Sequence, residues 1–207
     1  MIELKYNSYE ELPIEKYLEL KEILQNDDDD SNKQLEIIAL LADISIEQLL
    51  EQNISEIQGI ANKCDFLSNK QINIKEKIKT ITVNNIEYTV CTDLQKFTVA
   101  QYVDFQNYPK DEKHLADNLS TFVIPKGKKY GEDYDVVQVI QDFNKYLDIS
   151  TAISLQNFFI KKLLQSTKAT LRYLLPLMKM KMKKTKNPKA KEVLKQIQEI
   201  QRSYGLQ

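Results

Sequence analysis

Phe97–Tyr108 reads FTVAQYVDFQNY, and a related pattern stands earlier in the chain at Leu12–Ile23, LPIEKYLELKEI. Aligned without a gap, Ile14 matches Val99, Tyr17 matches Tyr102, Leu18 matches Val103, Glu19 matches Asp104 and Leu20 matches Phe105. Each copy enters through an aromatic or aliphatic residue followed by Pro or Thr. Each then shows the i, i+3, i+4 apolar spacing of a short amphipathic helix. The repeat predicts the entry helices of two related units, with Tyr17 and Tyr102 as matching packing residues.

The flanks of the first copy read as a compact helical unit. Ser8 and Glu11 have capping-box spacing, and Pro13 suits a first helical turn. The helix from Ile14 stops at Asn26, before Asp27–Asp30. Those four aspartates lack the spaced ligands and central Gly of a calcium loop, so a solvated loop is expected. Ser31 or Asn32 then caps a helix over Lys33–Ala42, Ser45 and Gln48 form a second capping box, and a further helix runs from about Ser55 past Cys64 to Phe66–Leu67. The second copy has the same order. Thr98 and Gln101 form its box, Pro109 closes the helix, ADNLSTFVIP supplies a helix ending near Pro125, and YDVVQVIQDFNKYL with ISTAISLQNFFIKKLL completes it.

Between the copies the character changes. KIKTITVNNIEYTVCTDL alternates β-branched and aromatic residues about Asn84–Asn85, which predicts a hairpin of strands Ile78–Val83 and Ile86–Cys91. A lone hairpin is marginal in water. It therefore needs the arm at residues 1–6, the first helical unit or a neighbouring subunit, and Ile78, Ile81, Val83, Ile86 and Tyr88 are its candidate interaction residues. The expected fold is mainly α: two related helical units (1–69 and 93–175) joined by a hairpin connector (70–92), with a basic helical tail (176–207). In that tail Pro176 predicts a kink, and Lys189–Tyr204 a last helix with Gly205 at its C-cap.

Apolar residues make up 42% of the 207, enough for a core, and the 4 Gly and 5 Pro argue against a turn-dense β fold. Cys64 and Cys91 lack CxxC spacing, and no secretory leader is visible at the N-terminus, so reduced thiols in an intracellular setting are expected. No apolar stretch approaches the ~20 residues of a spanning helix, so no membrane partner is expected. Charge is strongly polarised. Residues 1–60 carry 15 Asp or Glu against 4 Lys, a net of −11, whereas residues 161–195 carry 11 Lys and 1 Arg against Glu192, a net of +11. Such ends attract their opposites, within a molecule or between neighbours.

Catalytic motifs are absent from the sequence. His114 is the single histidine, no Walker loop or GxGxxG occurs, and no cofactor is implied. An enzyme built only from carboxylates is the residual alternative. Lys179, Lys181, Lys183 and Lys184, alternating with Met178, Met180 and Met182, are candidate contacts to an acidic protein surface. Non-specific nucleic-acid contact is the weaker alternative, because base readout favours arginine and the chain has only Arg172 and Arg202.

Two stretches resemble bacteriophage proteins. SYEELPIEKYLELKEIL, followed by EIIALLADISIEQLLEQNISEIQGIANKCDFL, resembles the small helical tail assembly chaperones of tailed phages. FTVAQYVDFQNY, FVIP, YDVVQVIQDF and AISLQNFF are similar to virion proteins of crAss-like phages. The resemblance covers roughly residues 8–67 and 94–175 and leaves out the hairpin and the basic tail. It implies a non-enzymatic protein of the tail or neck whose partners are other phage structural proteins, assembled as a homo-oligomer or ring. Its place would be the virion, or the host cytoplasm during assembly. A transient chaperone lost from the particle, and a nucleic-acid-binding accessory protein, are the alternatives.

Overall fold

The computed structural model describes residues 2–26, 29–68, 72–75, 78–91, 93 and 96–165. In order these form α1 (Ile14–Gln25), α2 (Asp30–Ala42), α3 (Ile46–Leu50), α4 (Ile54–Ala61) with a 3-10 turn over Asn62–Leu67, β1 (Thr80–Val83), β2 (Ile86–Val90), α5 (Val99–Asn107), α6 (Leu115–Ser120), β3 (Val123–Pro125), α7 (Val136–Tyr146) and a helix over residues 149–165, α8. The protein is mostly helical with a small three-stranded antiparallel sheet. Residues up to Phe158 belong to one contact unit, and Phe159 opens a second whose described part is helical. The expected tail, with Lys179, Lys181, Lys183 and Lys184, the bend at Pro176 and the last helix, lies outside the described residues.

Local chemistry starts two helices where the sequence places them. The Ser45 hydroxyl accepts from Gln48 N–H at 3.3 Å, and the Gln48 side chain accepts from Ser45 N–H at 3.0 Å. Thr98 and Gln101 repeat the box on α5 at 3.1 and 2.9 Å. Ser8 behaves differently. Its carbonyl accepts from Glu11 N–H in a turn, and α1 starts only after Pro13. Likewise α2 starts at Asp30, ahead of the expected Ser31 or Asn32 cap.

The hairpin forms as expected, with Thr80 opposite Thr89 and Val83 opposite Ile86. Asn84 and Asn85 have φ of 48° and 61°, the positive values that the tight turn demands. Its partner within the chain is not the N-terminal arm but a third strand. FVIP is a strand, not a helix end: Tyr88 pairs with Pro125, Thr89 with Ile124 and Val90 with Val123. Two β-branched residues ahead of a proline disfavour helix, and Pro125 closes the strand. The arm caps α2 instead, where Lys5 and Tyr6 N–H both donate to Leu41 O.

On the inner side of the sheet, Tyr88 is fully buried against Phe143 of α7, with ring centroids 5.0 Å apart in an edge-on arrangement. The start of the first copy also joins the segment between α7 and α8 directly. Pro13 bridges Asp148, Ile14 N–H donates to Leu147 O at 3.1 Å, and Ile149 N–H donates to Leu12 O at 2.8 Å. The matched residues do not share an environment. Leu20 and Phe105 are both buried, but Ile14 is buried where Val99 is exposed, and Tyr17 packs edge-on to Tyr9 where Tyr102 faces solvent. Tyr102 is therefore not a core counterpart of Tyr17, because α5 turns its i, i+3, i+4 stripe outward.

Burial raises the phenol pKa of Tyr9, Tyr17, Tyr88, Tyr108, Tyr130 and Tyr134; for Tyr130 a 2.8 Å bond to Asp104 adds to it. The folded state keeps these protons at a pH where the unfolded chain, ionising near ~10, has lost them. Their contribution is complete below about pH 10 and is lost as pH rises towards the folded values. The melting temperature should hold to roughly pH 9.5 and then fall, with a shallower fall in Tyr130→Phe; equal slopes would remove Tyr130 from the account.

Candidate interaction site

The hairpin residues singled out by alternation divide. Val83 and Tyr88 lie in the core and are unavailable to a partner. Alternation shows which residues share a face, and here α7 covers that face. Ile86 remains exposed beside the turn. Ile78 and Ile81 are half-buried and line a surface cavity of about 460 Å³ with Lys75, Lys79, Thr80 and Thr151. The hairpin thus joins the core through Val83, Tyr88 and Val90, while Thr80, Thr82, Ile86, Glu87 and Thr89 stay exposed.

A second cleft, about 450 Å³, lies between α1 and the segment after α5, lined by Leu18, Lys21, Gln25 and Lys110 among others. Its charges compensate each other, since Lys21 pairs with Glu112 and Lys113 pairs with Glu22 at 3.3 Å. Nearby, Asp111 accepts from the His114 ring at 2.6 Å, which holds its carboxyl below the usual range. His114 thus serves a local turn. Among the described residues no group of three His, Cys, Asp or Glu side chains is placed to hold a metal ion.

The acidic front builds a different surface. Helix α2 buries Ile38, Ala39, Leu41 and Ala42, with α1 and α4 packed on it. Where the last turn of α1 passes the 3-10 turn after α4, a groove of about 420 Å³ remains. Leu24, Ile37, Ile38 and Leu67 give it an apolar lining, with Gln34 and Asp65 among its polar residues. Cys64 also lines it, its thiol 3.6 Å from Ile60 O and pushed up in pKa by burial and by Asp65, so it is a poor nucleophile. Among the described residues no Lys, Arg or His lines it, although Lys33 and Lys63 stand on the flanking elements. Asp30 stands one helical turn before Gln34, and Asp29 is beside it; both are exposed. Leu24 is 54% exposed, so the groove is open to a partner.

Apolar side chains are uncovered elsewhere too. On α5, Val99 is 80% exposed and Tyr102 56%, with Val103 completing the stripe. On α3 only Leu49 is buried; Ile46, Glu47 and Leu50 are exposed, as is Glu51 just after it. Charge polarity was the sequence signal for the acidic front. The groove and the outward turn of α5 had no such signal, because both depend on contacts between distant elements.

Among the described residues no helix is long and apolar enough to cross a membrane. Comparison with protein-family models, with curated proteins and with solved structures gave no match.

Proposed function

We propose that this chain is a non-enzymatic bacteriophage structural or assembly protein that acts through protein–protein contacts in the tail or neck of the virion. The phage setting rests on the resemblance of residues 8–67 and 94–175. The observation that carries the contact role is the α5 stripe: Val99, Tyr102 and Val103 lie exposed at i, i+3, i+4 on a helix whose start is fixed by a two-way capping box. A surface helix normally turns such a stripe inward, and apolar surface gathered on one exposed face favours a partner. Tyrosine suits the role, offering a large ring and a hydroxyl that stays hydrated or finds a partner.

Mass spectrometry of purified particles tests the reading. The wild-type chain should be retained in mature virions, and a Val99→Asp/Tyr102→Asp variant, altered only at exposed positions, should be incorporated at least roughly tenfold less. Absence of the wild-type chain from mature particles would overturn the structural version in favour of a transient tail assembly chaperone. Retention of the variant at wild-type level would remove α5 as the contact.

A further inference from the structure

We infer that the groove between α1, α2 and the 3-10 turn after α4 receives the lysine–methionine stretch of a second copy of this chain, residues 178–184, in a head-to-tail contact. This goes beyond the assembly reading and can fail without it.

Shape and charge carry the inference together. The groove has an apolar lining from Leu24, Ile37, Ile38 and Leu67, with Asp65 at its side and, among the described residues, no cation in the lining. Asp29 and Asp30 stand exposed one turn from Gln34. It lies in the part of the chain that carries a net of −11 over residues 1–60. An occupant therefore needs adaptable apolar side chains and several cations within a few residues. Met178-Lys-Met-Lys-Met-Lys-Lys184 supplies both, inside a region of net +11. Unbranched thioethers fill irregular apolar floors. Lysine stems lie along apolar surface while their ammonium groups reach outward to carboxylates.

The contact joins two different patches, so it is heterologous and propagates from copy to copy, closing into a ring or continuing as a filament. Opposite net charges at the two patches speed encounter and fix its direction, and make the contact sensitive to salt.

Sedimentation of the full chain over a range of concentration and ionic strength tests this. The wild type should form species that grow with concentration and shrink with added salt. Leu24→Lys in the groove, and Lys179→Glu/Lys181→Glu/Lys183→Glu/Lys184→Glu in the tail, should each weaken association by roughly tenfold or more. Gln34→Lys, at an exposed position, serves as an independent groove variant. Mixing a groove variant with the tail variant leaves one intact groove and one intact tail, and should give a complex of two chains and no larger. A wild type that is monomeric throughout, association unchanged by these variants, or a mixture that forms no complex would each overturn the contact. The α5 result in particles is unaffected by any of these outcomes, so the two readings fail separately.

Discussion

Replacing Phe143 with alanine should destabilise the protein by about 3–5 kcal/mol, the range for emptying a buried aromatic site. Phe143 is fully buried on α7, and its ring meets that of Tyr88 at 62° with centroids 5.0 Å apart. Tyr88 is the central buried residue of β2, which pairs with β1 on one side and β3 on the other. The phenyl ring therefore couples α7 to the whole sheet, and its loss removes an edge-on aromatic contact as well as apolar area. Against a typical domain stability of ~5–15 kcal/mol, such a change takes a large share. The urea midpoint should fall with little change in slope. Phe143→Leu, which keeps most of the volume, should cost far less. Val137→Ala, on the exposed side of the same helix, should stay within about 0.5 kcal/mol. A loss below about 1 kcal/mol in Phe143→Ala would mean that the hairpin is held by something other than α7.

Short-range chemistry made much of this architecture legible in advance. The boxes at Ser45 and Thr98 span three residues, and the Asn84–Asn85 turn needs only two residues that tolerate positive φ, so neither depends on the rest of the chain. Pairings between distant segments were not legible. FVIP could be recognised as a strand only with β2 beside it, and Lys5 and Tyr6 donate to a carbonyl on α2 that no local pattern marks. The same divide runs through the interaction surfaces. Spacing alone put Val99, Tyr102 and Val103 on one face, but which way that face points is decided by what packs on Phe105 and Gln101. Gln101 is buried and donates to Thr121 O at 2.9 Å, a tie of α5 to the end of α6. Val83 and Tyr88 show the converse, since alternation marks the face they share but not the cover that α7 lays over it.

Asn118→Ala should cost about 2–4 kcal/mol, a large effect for a small polar residue on a six-residue helix. Asparagine is mostly exposed in proteins, yet Asn118 is buried. Its amide nitrogen donates to Pro109 O and to His114 O, both at 2.7 Å, and its amide oxygen accepts from Lys110 Nζ at 2.8 Å. One side chain thus fastens the exit of α5 to α6. Lys110 completes the joint by donating to Phe105 O, with its ammonium 3.7 Å from the Phe105 ring centroid. Desolvation lowers the Lys110 pKa, so the charged form depends on these neutral acceptors. Alanine at 118 strips the ammonium of one acceptor and leaves Pro109 O without its amide donor, and groups left unpaired away from water cost more than the bonds they replace. Asn118→Asp does not repair the joint, because a carboxylate suits Lys110 but faces two carbonyl oxygens with no hydrogen to offer. A double-mutant cycle with Lys110→Met isolates the shared part: coupling of about 1 kcal/mol or more is expected, and strictly additive losses would show that the two side chains act independently. Because α5 presents the exposed stripe, the proposed contact role predicts that weakening this joint also lowers incorporation into particles under conditions where the chain remains folded.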